Sequence, residues 1–185
     1  MRLLAYSGPR INEALAVQVG DVLLDAKRIK VRRTWTRSAV NTWKLGPPKT
    51  WQKRKIPIPD FQVEDIRALM DNQKDSAWLF RSPTGKPLEY STWYAQVWSR
   101  AASAVGLPKS FTPHDLRHTA ASLAITAGAD VVVVQHMLGH KDATETLNTY
   151  SHLWPDRLDE VLTAMSKHRE RALSADTKEP KDEAA

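Results

Sequence analysis

Strand-like patterns are confined to one short stretch of this sequence, and that restriction sets the class of fold. The segment "RIKVRRTW" alternates β-branched and basic residues, and "RKIPIPD" is a second short strand that ends at prolines. From Asp60 onward, apolar residues recur at helical spacing, and glycine or proline separates successive runs. The pattern predicts an α+β fold, mainly helical, with a small three-stranded antiparallel sheet near the N-terminal third.

Two predicted helix starts carry the charged residues of interest. In "SGPRINEALAVQVGD", Pro9 takes the first helical position, so Arg10 falls in the first turn. There the positive end of the helix dipole favours a bound anion. Thr112 is expected to cap a further helix that runs to Gly128, with Asp115 completing a variant of the capping box.

The chain is expected to form one domain over residues 1–166. Its last helix is predicted to run from Pro155 to about Met165. After Ser166 the composition turns to charged and small residues, which predicts a disordered tail over residues 167–185.

The positive charge of the chain is concentrated in one block. The net charge is +6, and between Ala26 and Lys55 every charged residue is basic, with three tryptophans interleaved. A block of one sign repels itself unless a polyanion approaches, which favours a nucleic acid as the partner. A solvated basic loop is the alternative.

Two absences in the sequence limit the other possibilities. There is no cysteine, which excludes disulfides, thiolate metal sites and a cysteine nucleophile. We find no signal peptide and no apolar run of the roughly 20 residues that a membrane helix needs, so a cytoplasmic protein with no membrane contact is expected.

The segment "FTPHDLRHTA" places three basic groups on one helical face. His114, Arg117 and His118 stand at i, i+3 and i+4, an arrangement that suits a bound anion. Arginines can hold the oxygens of a phosphate in a bidentate manner, and lysine and histidine can move protons. A tyrosine such as Tyr150 can attack phosphorus once it is deprotonated, and surrounding positive charge is expected to lower its pKa.

Five motifs then occur in an order that resembles the catalytic domain of the tyrosine recombinases, the phage integrase family. They are "SGPRINEAL", "PPKT" with "RKIPIP", "HDLRH", "LGH" and "NTYSHL", and they extend from about residue 3 to residue 160. The histidine of "LGH" and the tyrosine of "NTYSHL" are ten residues apart, as in the family.

The resemblance implies six catalytic residues: Arg10, Lys49, His114, Arg117, His140 and Tyr150. Arg10 and Arg117 would hold the scissile phosphate and stabilise its pentacoordinate transition state. Tyr150 would attack phosphorus, which leaves a 3′-phosphotyrosyl link and a free 5′ hydroxyl. A 5′ hydroxyl of a partner strand would then reverse the reaction, with neither ATP nor a metal cofactor.

The resemblance assigns the remaining roles to proton transfer and support. Lys49 would protonate the leaving 5′ oxygen, although other lysines lie close to it in the sequence. His114 would be the general base for the tyrosine, and His140 would bind the phosphate or aid proton transfer. Glu13 matches a family acid that orients an arginine, and His118 is expected to fix its helix by hydrogen bonds.

The resemblance also implies binding partners and an N-terminal clamp domain that this sequence is expected to lack. The active assembly would be a homotetramer on double-stranded DNA, built through the helix after Pro155, with a monomer in solution as the alternative and with accessory DNA-bending proteins. Members normally carry an N-terminal helical domain that closes a clamp around DNA. Here only about two helical turns precede Arg10, so this clamp domain is expected to be absent from a prokaryotic or phage-encoded protein.

Three rival interpretations remain. The pairs His114 with His118 and His136 with His140 have the i, i+4 spacing of zinc ligands, as in a zinc-dependent hydrolase, but an arginine beside His118 is a poor neighbour for a dication. The segment "TAGADVVVVQHMLGH" looks like a helix–turn–helix, which would suit a truncated or impaired DNA-binding fragment. A topoisomerase using the same chemistry is the third.

Overall fold

The computed structural model describes residues 1–38, 42–48, 53–154 and 158–176. The chain divides into two compact units, Met1–Leu153 and Trp154–Ala185. All of the strands and the first eight helices described below belong to the first unit.

The first unit contains two small antiparallel sheets. In the first, β2 (Arg28–Val31) lies between β1 (Val22–Leu23) and β5 (Arg54–Pro57). This three-stranded sheet confirms the predicted fold class. The second sheet is a hairpin of β3 (Thr34–Arg37) and β4 (Trp43–Gly46).

The predicted strand over "RIKVRRTW" is divided between the two sheets. The break falls at Arg32 and Arg33, where the Arg33 guanidinium turns inward and its Nη1 lies 3.0 Å from Oδ2 of the buried Asp21. That ion pair takes the backbone out of the first ladder, so β3 begins a separate hairpin.

Helices make up most of the remainder. Their bounds are α1 Arg2–Ser7, α2 Ile11–Ala14, α3 Val63–Met70, α4 Tyr90–Trp93, α5 Ser99–Ala104, α6 Asp115–Thr126, α7 Val131–Leu138, α8 Ala143–Tyr150 and α9 Leu158–Asp176. A π-helical turn, Tyr94–Trp98, joins α4 to α5, and short 3₁₀ turns lie at Val19–Asp21, Asp60–Gln62 and Ser151–Leu153. None of the described helices is both long and apolar enough to cross a membrane.

The apolar core lies beneath the three-stranded sheet. Ile29, Val31 and Ile56 point from β2 and β5 into it and are almost fully buried, together with Leu79. Helices α1 and α6 pack against each other, which brings the N-terminal segment next to the "HDLRH" segment.

The predicted helix start at Pro9 is wrong. Gly8 ends α1 in the left-handed conformation, with φ of +67°, and Pro9 lies between two helices. A Cβ on Gly8 would come within 2.9 Å of Leu138, so α7 packs directly against this turn. Arg10 is therefore the N-cap residue of the one-turn helix α2 rather than a residue of its first turn.

The acid half of the capping box predicted for α6 is present. Oδ2 of Asp115 accepts hydrogen bonds from both the backbone N–H and the hydroxyl of Thr112, each at 2.7 Å, and the Thr112 hydroxyl accepts from the backbone N–H of His114 at 3.3 Å. The regular helix begins at Asp115, three residues after the expected cap, and ends at Thr126.

Helix α9 is longer than predicted. It continues past Met165 to Asp176, whereas a disordered tail is expected from residue 167. The added segment contains Lys, Arg, Glu, Leu and Ala, which are strong helix formers and need no core contact to favour a helix. Its described side chains are exposed. Residues 177–185 lie outside the described part of the chain.

Candidate active site

Five elements of the first unit bring their ends to one place. They are the Gly8–Arg10 turn before α2, strand β5, the first half of α6, the end of α7 and the whole of α8. Arg10, His114, Arg117, His140 and Tyr150 are thereby brought together, since the charge of Arg10 acts on His114, Arg117 and His140, and that of Arg117 acts on Tyr150. Lys49 lies outside the described residues.

A single buried carboxylate organises the arginines. Glu13 is 2% exposed, and its Oε2 accepts hydrogen bonds from Nη2 of Arg54 at 2.7 Å and from the backbone N–H of Arg10 at 2.8 Å. Oε1 accepts from Nη1 of Arg54 at 3.1 Å and of Arg10 at 3.4 Å. Burial alone would raise the pKa of Glu13, but the hydrogen bonds and charges of Arg54 and Arg10 outweigh it and hold that pKa below its usual value.

Arg54 also connects the sheet to the "LGH" motif. Its Nε donates to the carbonyl of Met137 at 3.2 Å, near the end of α7. Gly139 follows with φ of +69°, and a Cβ there would lie 2.7 Å from the Arg54 guanidinium. Both the backbone conformation and this close approach therefore require glycine immediately before His140.

Arg117 donates a hydrogen bond to a backbone carbonyl and has one further donor that is unpaired among the described residues. Its side chain is buried, and Nη1 donates to the carbonyl of Gly8 at 2.6 Å. Its Nη2 is buried with no hydrogen-bond partner among the described residues. Burial, followed by the charge of Arg10, lowers the pKa of Arg117 to about 10, so the group stays charged at neutral pH. An unsatisfied buried cation of this kind is well suited to an oxyanion.

Tyr150, the last residue of α8, is buried and protonated at neutral pH. It is 4% exposed, and its hydroxyl lies 2.6 Å from Nδ1 of His118. Burial raises its pKa, with Glu145 acting in the same sense and Arg117 in the opposite one. The expectation that nearby positive charge lowers this pKa is therefore wrong for the chain without DNA, because desolvation outweighs the single arginine.

His114, the N-cap residue of α6, and His118, within α6, have different surroundings. Their rings meet edge to face, with centroids 5.0 Å apart. Burial, followed by the charges of His118, Arg117 and Arg10, lowers the pKa of His114, so His114 is neutral at pH 7. The residue hydrogen-bonded to the Tyr150 hydroxyl is His118.

His140 is fixed by two contacts with α8. Its Nδ1 lies 2.8 Å from the hydroxyl of the fully buried Thr146, and its Nε2 lies 3.3 Å from Oε1 of Glu145. Burial and the charge of Arg117 lower the pKa of His140 to about 4, against the opposing effect of Glu145. At neutral pH the ring is therefore neutral, and the contact with Glu145 is not an ion pair.

Two residues that contribute to the site are missing from the sequence-based set. Arg54 is one of many basic residues in its block, and only its place in "RKIPIP" sets it apart. His118 shares a helical face with His114, but its contact with a residue 32 positions away is invisible in the sequence.

The rival zinc site finds no support in the described ranges. They contain no group of three or more His, Asp or Glu side chains that could hold a metal ion. The ring nitrogens of His140 contact Thr146 and Glu145, and Nδ1 of His118 contacts Tyr150.

The charge balance of the site favours an anionic ligand. Three guanidinium groups, those of Arg10, Arg54 and Arg117, interact with the carboxylate of Glu13, and Glu145 adds a second carboxylate beside His140. The remaining positive charge, the Nη2 donor of Arg117 that is unpaired among the described residues, and a tyrosine on which the charge of Arg117 acts match the needs of phosphoryl transfer.

Comparison with known proteins gives a consistent result. Residues 1–157 match the profile described as the phage integrase family. The chain is 34% identical over 167 residues to "Tyrosine recombinase XerA" of Saccharolobus solfataricus, covering 90% of this chain and 49% of that protein. It is 30% identical over 167 residues to "Tyrosine recombinase XerD" of Corynebacterium glutamicum, covering 87% and 49%. The chain thus spans about half the length of these relatives.

Solved structures share the fold. The Tn1549 transposon integrase in complex with circular intermediate DNA aligns with a TM-score of 0.69 at 24% identity, over 89% of this chain and 57% of that one. The catalytic domain of bacteriophage HP1 integrase aligns with a TM-score of 0.59 at 21% identity, over 88% and 77%.

Proposed function

The chain belongs to the phage integrase family, and on that premise we propose that it catalyses site-specific DNA recombination through a 3′-phosphotyrosyl intermediate. The observation that carries the proposal is the grouping of Arg117 with both Arg10 and Tyr150, with one buried donor of Arg117 left unpaired in the described structure. Strand cleavage and rejoining by one enzyme would then serve integration or excision.

The phosphate site of the proposal is formed by two arginines. Nη2 of Arg117 would donate to one non-bridging oxygen of the scissile phosphate, and Arg10, whose side chain is 29% exposed, would reach another. Because Glu13 and the carbonyl of Gly8 already fix these side chains, little reorganisation is needed as charge builds up at phosphorus.

In the proposed covalent step, Tyr150 exchanges a phosphodiester bond for a phosphotyrosyl ester bond. Its Oη attacks phosphorus, and the P–O5′ bond breaks as Lys49 supplies a proton to the leaving oxygen. His114, neutral at pH 7, would donate a hydrogen bond to the phosphate, and His140 would do so once its Nε2 turns from Glu145 to the phosphate. The phosphotyrosyl ester replaces the phosphodiester, so the chemistry requires neither ATP nor a metal cofactor.

DNA binding is proposed to involve the β3–β4 hairpin. Arg37 and Lys44 are exposed on it, and Trp43 is 37% exposed between them. Contacts of this kind depend strongly on salt. Assembly of a homotetramer on DNA is proposed to use α9, on which Val161, Leu162 and Met165 are all more than half exposed.

The test is covalent capture of DNA on the tyrosine. The chain is incubated at low salt, in the presence of a chelator, with nicked duplexes randomised around the nick, and the products are separated on a denaturing gel. The wild type is expected to give an adduct whose DNA can be sequenced. Tyr150→Phe is expected to give none, whereas Tyr94→Phe, which changes a more exposed tyrosine, serves as the matched control.

Two results would contradict the proposal. An adduct that persists in Tyr150→Phe would remove the nucleophile. Binding of the duplexes without any adduct in the wild type would instead favour a DNA-binding fragment that lacks catalytic activity.

A further inference from the structure

The hydrogen bond between the hydroxyl of Tyr150 and Nδ1 of His118 bears on how the tyrosine loses its proton in the proposed reaction. Resting on that proposed function, we infer that His118, and not His114, is the base that takes the phenolic proton of Tyr150 when the phosphate is attacked. His118 is then a catalytic residue, because its Nδ1 touches the atom that forms the new bond.

The geometry for direct proton transfer is already present. The distance of 2.6 Å between Oη of Tyr150 and Nδ1 of His118 is short for a hydrogen bond between neutral groups, and the rings lie 5.6 Å apart at an interplanar angle of 54°. The two residues come from α6 and α8, so the contact depends on the packed fold rather than on local sequence. A base within hydrogen-bond reach of its proton is the first requirement of general base catalysis.

The proton inventory of the step balances. In the resting state Oη of Tyr150 donates to an unprotonated Nδ1, and the imidazole carries its proton on Nε2. During attack the Oη–H proton passes to Nδ1, Oη bonds to phosphorus, and the P–O5′ bond breaks while Lys49 supplies a proton to O5′. Rejoining reverses each transfer, so His118 returns the proton to Tyr150.

The surroundings of His114 suit a different task. Its pKa is lowered by burial and by the positive charges around it, which weakens it as a base. The same neutral imidazole can donate a hydrogen bond to the phosphate held by the neighbouring Arg117. His118, one turn further along α6, stands between His114 and the hydroxyl of Tyr150.

Burial makes a base necessary for Tyr150. The pKa of its hydroxyl is raised, so very little phenolate is present near pH 7. Transfer along an existing hydrogen bond removes the need for a free phenolate.

Single-turnover cleavage is measured at pH 7 on the best-cleaved duplex from the adduct selection.

The informative substitution is His118→Asn. Its side-chain oxygen can still accept a hydrogen bond from Tyr150 but cannot take a proton. We expect cleavage at pH 7 to fall by ~100-fold or more, in line with the loss of a general base. His136→Asn, on α7 and outside the site, is the matched control and should cleave at the wild-type rate.

A modified substrate separates the base from the acid. When sulfur replaces the bridging 5′ oxygen, the thiolate leaves without being protonated, so the defect of Lys49→Ala should be relieved. The defect of His118→Asn should remain, because the tyrosine still has to lose its proton. Added imidazole should partly restore cleavage by His118→Ala, a result that also shows that the variant is folded.

The outcomes distinguish this inference from the proposed function. If His118→Asn cleaves within about threefold of the wild type, or if the sulfur substrate rescues it, His118 is not the base although the proposed function stands. Loss of a general base lowers the cleavage rate by ~100-fold or more, so a threefold decrease is too small to indicate one. If the wild type forms no adduct with any duplex, the proposed function itself fails.

Discussion

The two halves of the candidate active site are held by different forces. On the arginine side, Glu13, Arg54 and Arg10 are joined by charge-assisted hydrogen bonds between ionised groups. On the tyrosine side, His118 bonds to Tyr150 and His140 to Thr146, and burial disfavours the charged forms of His140 and Tyr150. The arginine side is thus preorganised for the proposed phosphate, whereas the proposed nucleophile, Tyr150, stays protonated in the absence of DNA.

The largest effect should come from removing the carboxylate on which the arginine side depends. Glu13→Ala leaves Arg54 buried without its ion-pair partner, and we expect a loss of about 3–5 kcal/mol in the free energy of unfolding. Urea denaturation measures it. The exposed pair Arg2–Asp65 supplies the matched control, Asp65→Ala, with an expected change of at most about 1 kcal/mol. Equal losses in the two variants would contradict the contrast between the two halves.

A smaller effect should follow from adding one methyl group at Gly139. Gly139→Ala suffers both from the positive φ and from a contact at 2.7 Å with the Arg54 guanidinium. Gly106→Ala has nearly the same φ, +68°, and nothing within 4 Å of the new Cβ. Gly106→Ala should cost about 1–2 kcal/mol from backbone strain, and Gly139→Ala at least ~1 kcal/mol more, with reduced cleavage. Identical thermal shifts would show that Arg54 moves aside freely.

Burial of neutral His140 on the tyrosine side should make the free energy of unfolding depend on pH. The pKa of His140 is about 4 in the folded chain, below its ordinary value of 6.5, so the unfolded chain binds more protons between these values. Stability should therefore fall as the pH drops from about 6.5 towards 4, with His140 contributing a slope of at most about 1.4 kcal/mol per pH unit. His140→Gln should flatten the curve in that window. A curve of unchanged steepness would mean that His140 is charged in the folded state.

The sequence is sufficient for the fold class and for most of the site because its motifs are local. The spacing within "HDLRH" fixes which side chains share a face of α6, and strand patterns confined to 28–57 predict the small sheet. Which histidine meets Tyr150 depends instead on how α6 packs near α8, and periodicity holds no information about that.

Other differences arise where tertiary contacts override local preference. Pro9 would suit a helix start, but the close packing of Gly8 on Leu138 ends one helix and delays the next to Ile11. Arg54 cannot be told from its basic neighbours in the sequence, because its role comes from the buried Glu13 on another element.

The hydrogen bond from Arg117 to the carbonyl of Gly8 bears on how such an enzyme can change. Because the anchor is a main-chain oxygen, substitution of surrounding side chains leaves it in place. Exposed residues of the hairpin, such as Arg37 and Lys44, can therefore be diversified in a library seeking new DNA targets while the guanidinium keeps its position. Residue 8 itself should be left constant, since a larger side chain would strike Leu138.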